Sequence, residues 1–221
     1  MSKKNRFFYH DCVFFSTFAV MKQNWRPGNM IYPLPALLVS CGSSPEDYNM
    51  LTAAWTGTLC SDPVMCYVSI RPERHSHHLI ERDMAFTLNL TNRALARATD
   101  WCGVRSGRDC DKWAEMGLTP VQGVTVCSPY IKEAPVSLEC QVQDILRLGS
   151  HDMFIAQVLN VIVDDEYLDP EIGRLDLKRA DLITYCHGQY YTLGEALGHF
   201  GWTVQARHKT IIFDSRFSIL N

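Results

Sequence analysis

The sequence predicts a mainly β chain: an antiparallel barrel, closed or nearly so, punctuated by a few short helices. Three observations carry that reading. β-rich segments follow one another from residue 36 to residue 90 with turn residues between them. Two long extended segments, 136–150 and 152–165, meet at Gly149, Ser150 and His151. Helical signals are confined to short stretches, and many strands with tight turns and few helices argue for closure.

The first strands are ALLVSC (36–41), NMLTAAWTGTLC (49–60), VMCYVSI (64–70) and AFTLNL (85–90). GSSPEDYN between the first two is a hairpin-type loop, and SDP before the third places Pro63 where no ladder donor is needed. They read as consecutive antiparallel strands. Ser76 stands as N-cap of a short helix over 76–83, and Thr91 as N-cap of another over 92–101. Residues 102–123, rich in Gly, Asp and Ser, form an ordered functional loop with one helical turn at DKWAEMG. In VSLECQVQDIL the period is two: Val136, Leu138, Cys140, Val142 and Asp144 share one face, and Ser137, Glu139, Gln141 and Gln143 the other.

Composition narrows the function classes. With 221 residues, 47% hydrophobic and 20% charged, the chain has the makeup of an ordinary globular domain. Lys+Arg 21 against Asp+Glu 24 gives net charge -3, which offers no general basic surface for nucleic acid or anionic lipid. An anionic ligand must be held locally. Nine cysteines, none in CxxC spacing, read as reduced thiols of a cytoplasmic protein. MSKKNRFF followed by VFFSTFAV imitates a signal peptide, but the apolar run is short, interrupted by Ser16 and Thr17, and not a membrane span. Residues 1–27 are an N-terminal extension, whose first twenty alternatively precede a fresh start at MKQNWRPG. One domain occupies 28–206, and 207–221 form a tail.

NMLTAAWTGTLCSDPVM, then YVSIRPERHSHHLI and FTLNL, then DWCGVRSGRDCDKWAEMGLTP, LECQVQDILRLGSHDMFIAQV and YCHGQYYTLGEALGHFGW, resemble the flavin reductase-like family of FMN-binding split barrels, particularly its flavoredoxin-type members. The likeness covers residues 28–206 and departs at Val64, where a second proline is common. It implies a split β-barrel that binds FMN non-covalently as a homodimer, with the flavin near the subunit interface. It also implies two-electron reduction by NADH or NADPH and electron transfer to an acceptor. The alternative is a flavoredoxin-like electron carrier served by a redox protein partner.

FMN presents a flat ring, a polar chain and a phosphate dianion, and the residues answer each. In TAAWTGT, Ala53, Ala54 and Gly57 let a ring approach backbone groups, Trp55 offers an aromatic wall, and Thr52 and Thr56 add hydroxyls. RPERHSHH sets Arg71, Arg74 and Ser76 at a helix start, where free N–H groups and the dipole favour an anion. Three histidines there invite a metal, yet no carboxylate or thiolate stands at ligand spacing, so none is assigned. The resemblance adds Asn89 of FTLNL to the cofactor-binding set and lays Lys112, with Asp111, over the cofactor. A lysine there neutralises phosphate or charge on the reduced ring. Cys102 and Cys110 flank that loop without a recognised redox spacing. Tyr185, His187, Tyr190 and Tyr191 form an aromatic cluster that covers the flavin's outer face, meets a second subunit, or packs a barrel rim. His187 is assigned the substrate side.

Overall fold

The computed structural model describes residues 22–204. The readings made on residues 1–20 and on the tail 207–221 lie outside the described residues, as do the last two residues of the 28–206 domain. Residues 22–30 carry no regular secondary structure. From Ile31 the chain runs β1 (Leu34–Pro35), β2 (Leu37–Cys41), β3 (Asn49–Ala53), β4 (Thr56–Ser61), β5 (Val64–Ile70), α1 (His75–Asp83) and β6 (Ala85–Leu90). There follow α2 (Ala96–Val104), α3 (Lys112–Met116), β7 (Pro120–Val121), β8 (Tyr130–Ile131), β9 (Val136–Arg147), β10 (Asp152–Val163), β11 (Ile183–Cys186) and β12 (Gln189–Thr192).

Seven strands form one antiparallel sheet in the order β3-β2-β6-β9-β10-β5-β4. Its two edges, β3 and β4, are consecutive in the chain and are separated only by Ala54 and Trp55. In a flat sheet six gaps of about 4.8 Å would hold those edges about 29 Å apart. The three Cα steps from Ala53 to Thr56 reach about 11 Å at most. The sheet therefore curls until its edges meet, which makes a split barrel with its seam at Ala54–Trp55.

That seam corrects the expectation of a single strand over 49–60 within a run of neighbouring strands. β3 pairs with β2 and β4 pairs with β5, but β3 and β4 do not pair. The tight hairpin at Asp62–Pro63 draws β4 to β5, and the Trp55 carbonyl already accepts from the Ser69 N–H at 2.8 Å.

Two apolar clusters flank the first strands. Leu37, Val39 and Cys41 point into the barrel with Phe86, Phe154 and Val68, whereas Leu38 and Met50 point outward under Leu95, Ala98, Cys102 and Trp113. β2 is thus buried on both faces, which is why its sequence shows an unbroken apolar run rather than alternation. Gly103 lets α2 lie flat on β3, since a Cβ there would stand 3.3 Å from Thr52 Cβ.

The period-two reading of β9 holds to Val142 and then changes phase. Ile155 pairs with Asp144 and Ala156 with Val142, so Gln143 is an extra residue and Ile145, not Asp144, packs on the barrel core. Glu139, on the face opposite Cys140 and Val142, is also fully buried. Its carboxylate accepts from the Val124 N–H at 2.6 Å, the Thr125 hydroxyl at 2.7 Å and the Asn160 amide at 3.0 Å. Burial pushes this carboxyl up, but those donors outweigh it and hold it below the usual range. The loop before β8 is pinned by that clamp.

Both cap assignments shift. Arg74 precedes α1 and no side chain caps it, while Ser76 lies inside the helix. Asn92, not Thr91, caps the turn leading into α2, and the Thr91 hydroxyl instead donates to Ala36 O at 2.6 Å.

Candidate functional site

A run of connected cavities follows the seam. The first, about 140 Å³, is a slot lined by Leu51, Thr52, Ala53, Ala54, Trp55, Ser69, Ile70, Arg71, Arg74, Gly103 and His151. Leu51 and Arg74 also line a second cavity of 340 Å³ that carries Asn49, Glu73, His75, Ser76, Arg105, Arg108, Asp109 and Lys112. On the other side, Thr52, Ala54, Trp55 and Gly103 open into a third cavity of 330 Å³, shared with Asp100, Tyr185, Gly188 and Tyr190. The TAAWTGT, RPERHS and GRDCDK segments, far apart in sequence, are brought to one continuous surface.

The 340 Å³ cavity is built for negative charge. The first peptide N–H groups of α1 have no intrahelical partners and no side-chain cap competes for them. His75 Nδ1 is buried there without a partner. Burial, and then the charges of His78, Arg108 and Lys112, push the His75 imidazole below the usual histidine range.

Lys112 is the first residue of α3, with Asp111 as the cap that accepts from Trp113 N and Ala114 N. The lysine therefore sits on the helical turn read from DKWAEMG, with Asp111 engaged as its cap. It is 3% exposed, and its Nζ donates to Met50 O at 2.8 Å and Cys102 O at 3.0 Å. An ammonium has three donors, so one remains for a ligand. Burial pushes the amine down to about 8, with Arg74 adding to that and Cys102 opposing it.

Arg74 is also anchored, donating to Gly103 O at 2.9 Å and Cys102 O at 3.3 Å at the carboxyl end of α2. Its guanidinium thereby fixes α2 against α1 while facing both the slot and the anion cavity. The Ser76 hydroxyl accepts from Asn49 Nδ2 at 2.7 Å and keeps its own proton to give. Gly107 passes so close to Asn49 that a Cβ would fall 2.2 Å from its Oδ1, which fixes the loop that closes this cavity.

The slot supplies the flat surface. Trp55 is 40% exposed and packs at 5.7 Å and 32° against His151, on the β9–β10 turn. Arg71 stands at the rim with its guanidinium 3.5 Å from Glu73. Burial, and then the Arg71 charge, push His151 below the usual range. The sequence reading missed His151, because only the pairing of Met153 with Ser69 shows that this turn comes beside Trp55.

Three assigned residues are placed elsewhere. The Thr56 hydroxyl is spent on Tyr67 O at 2.5 Å and does not line the slot. Asn89 is fully buried; its Nδ2 donates to Leu38 O and Ser40 Oγ, and its Oδ1 accepts from Ile131 N and Ser137 Oγ. It ties β2, β6 and β9 to the β8 segment and has nothing left for a ligand. His187 is the left-handed first residue of the β11–β12 turn, packed edge-on at 5.8 Å against Tyr32. Its neighbours Tyr185, Gly188 and Tyr190 line the third cavity, and it does not.

The neighbouring helix residues divide differently. His77 Nε2 stands 2.8 Å from Asp152 Oδ2, and Arg147 pairs with both Asp152 and Glu81. That network joins α1 to the β9–β10 hairpin, so the anion cavity and the slot wall are braced together. Of the three histidines of this segment, His77 is thus engaged with Asp152, and the rings of His75 and His78 lie 5.0 Å apart.

Residues 29–194 match the family model described as Flavin reductase like domain. An uncharacterized protein of Pyrococcus abyssi is 33% identical over 149 residues, 67% of this chain and 84% of that protein. The flavoredoxin of Desulfovibrio vulgaris (Miyazaki F) superposes with a TM-score of 0.77 at 32% identity, covering 84% of this chain and 100% of that one. An FMN-binding protein from Thermus thermophilus, solved with bound 1-cyclohex-2-enone, gives 0.66 at 26% identity, covering 82% and 98%.

Proposed function

The chain belongs to the flavin reductase-like family, and from that premise we propose that it binds FMN and passes electrons from NADH or NADPH to an acceptor. The observation that carries this reading is the continuity of a flat, small-residue slot with a cavity of anchored cations at a helix start. Bound flavin would supply the hydride-accepting ring and its one- or two-electron chemistry. The residues fit such a group: Thr52, Ala53, Ala54 and Trp55 offer the ring a wall without bulk. Arg74, Ser76, the α1 N–H groups and the third donor of Lys112 offer a phosphate its hydrogen bonds, and the orphaned His75 Nδ1 is available beside them.

The chain's own part is binding, orientation and electrostatics. Lys112 and Arg74 are held by backbone carbonyls before any ligand arrives, so little side-chain entropy is lost on binding. No acid or base is assigned.

We further assign a homodimer. β4 is an open sheet edge, and Leu59, Val64, Leu159 and Val161 on β4, β5 and β10 are exposed. The eight cysteines among the described residues are free thiols, which supports a reducing compartment, the cytoplasm. Among the described residues no helix is long and apolar enough to cross a membrane.

The flavoredoxin likeness supports one rival, an electron carrier reduced by a protein partner. Anaerobic mixing with excess NADH or NADPH separates the two. Bleaching of the flavin band is expected; bleaching by dithionite but by neither nicotinamide would leave the carrier. Clearly tighter FAD than FMN binding, or none of either, would remove the cofactor assignment.

A further inference from the structure

Four ionisable side chains behind the seam close into a ring. His77 Nε2 stands 2.8 Å from Asp152 Oδ2, Arg147 reaches Asp152 with one guanidinium nitrogen and Glu81 with the other, and Glu81 Oε2 lies 3.7 Å from His77 Nδ1. None of the four lines the three seam cavities. The inner half of the ring is buried, His77 and Asp152 each being 5% exposed, whereas Arg147 and Glu81 face solvent. Its place in the chain is what gives it reach. His77 follows Ser76 in the first turn of α1, and Asp152 follows His151 at the start of β10. Asp152 is itself fixed in register, opposite Ile70 of β5 on one side and Arg147 of β9 on the other. At its carboxyl end α1 is tied to β9 through Met84 O, which accepts from the Val142 N–H at 2.8 Å and from Gln141 Nε2 at 2.6 Å. At its amino end the polar tie to the β9–β10 hairpin is the ring. Apolar side chains of like volume would hold the two elements together as firmly as a buried ion pair does. What the charged hydrogen bonds add is a fixed distance and direction.

We propose that His77, Asp152, Arg147 and Glu81 are positioning residues that set the distance between the His151 wall of the slot and the start of α1, and so determine the preference for a phosphorylated over an unphosphorylated form of the same flat ligand. A ligand that fills the slot alone is indifferent to that distance. One that carries an anion on a short polar chain engages both ends only when the spacing is right, and its second contact is then intramolecular, with a high effective concentration. The ring thereby acts on specificity without touching the ligand. The proposal deepens the flavin reading and rests on it for the identity of the ligand, but not for the geometry that the ring sets.

The test titrates the full chain with riboflavin and with FMN, which share one ring and differ in the terminal phosphate. The double variant His77→Phe with Asp152→Leu replaces the buried pair by apolar side chains, which should keep the thermal midpoint within about 3 °C of wild type. The wild-type chain should prefer FMN by about a hundredfold, through charged hydrogen bonds to the phosphate. In the double variant that preference should fall to about tenfold while riboflavin affinity stays within about twofold. Arg147→Met, which removes only the exposed link, should lower the preference by about threefold. A flavin-free readout comes from amide exchange at Leu148, whose N–H donates to His151 O at 3.0 Å across the turn. Exchange there should quicken about tenfold in the double variant. An FMN-to-riboflavin preference within twofold of wild type in the double variant overturns the proposal, as does unchanged exchange at Leu148. Equal losses of riboflavin and FMN affinity also overturn it, because they would make the ring a brace for stability alone. A wild-type chain that binds neither flavin, with exchange at Leu148 quickened in the double variant, would remove the cofactor reading and keep the ring's hold on the turn.

Discussion

The two ends of the seam are built from opposite materials. At the anion end two assigned cations are tied to main-chain carbonyls, Arg74 to Cys102 and Gly103 and Lys112 to Met50 and Cys102, whereas Arg71 stands at the slot rim beside Glu73. At the aromatic end the walls are a partly exposed tryptophan, the β11–β12 hairpin and one exposed aspartate. The first gathers anchored cations and is continuous with the core around Cys102; the second is lined by aromatic rings and a single carboxylate. On the proposed function, the anion end is expected to supply most of the affinity for the cofactor's phosphate and the aromatic end to contact a flat group beside it. Substitutions at the two ends should therefore separate phosphate affinity from contact with that flat group.

The largest effect should come from Lys112→Met, which keeps volume but removes the buried ammonium. Charged hydrogen bonds contribute about 1.5–3 kcal/mol, so FMN affinity should fall by about thirtyfold. The wild-type chain should also show a pH signature. With the free amine pushed down to about 8, a bound phosphate dianion favours the protonated form and raises that value. Affinity is then full below about pH 7 and falls as pH rises through 8, by up to tenfold per pH unit, until the amine of the complex also titrates. Fluorescence titrations from pH 6.5 to 9.5 measure this, and Lys112→Met should flatten the profile. A wild-type affinity that stays level across that range would detach Lys112 from the phosphate.

A middle effect belongs to Trp55, which stands where the two ends meet. Being 40% exposed, it contributes little to the core, and Trp55→Ala should shift the thermal midpoint by no more than about 2 °C while lowering FMN affinity about tenfold. A large loss of stability with unchanged flavin affinity would make Trp55 a packing residue and blur the contrast between the ends.

Much of this arrangement was legible in the sequence, and the failures have identifiable physical causes. Strands β2, β5, β6, β9 and β10 were readable because period, turns and length are local properties. The split of 49–60 into β3 and β4 was not, since nothing in TAAWTGT announces that its halves pair with opposite edges of a curled sheet. The same non-local pairing hid His151 and moved Ile145 into the core through the Gln143 bulge. At the site, the residue types in RPERHS and GRDCDK gave the charge correctly. Which polar groups the fold itself consumes was invisible: Asn89 looked as available as Ser76, yet Asn89 spends both its donor and its acceptor on β2, β8 and β9, whereas Ser76 lines the anion cavity. The helical turn at DKWAEMG was readable, but nothing in that Gly- and Asp-rich stretch told that it turns the Lys112 side chain inward.

The smallest effect is expected from His187, and it sharpens the comparison by its absence. The residue sits at φ 47° with Gly188 at 88°, the pattern of a two-residue turn whose twist suits the β11–β12 hairpin. Its ring packs on Tyr32 and does not line the aromatic cavity, whereas Tyr185 and Tyr190 do. Any substrate-side contact made by this hairpin is therefore expected from Tyr185 and Tyr190 rather than from the His187 imidazole. His187→Asn, which tolerates the left-handed backbone, should leave FMN affinity and the rate of flavin reduction by NADH or NADPH within about twofold of wild type. His187→Ala carries a backbone strain that asparagine avoids, and should loosen the hairpin and weaken the second reactant more than the flavin. Stopped-flow reduction of both variants decides between turn and ring: a loss of more than tenfold in His187→Asn, with flavin affinity intact, would restore the imidazole to the reaction and move part of the substrate-side contact off the tyrosines.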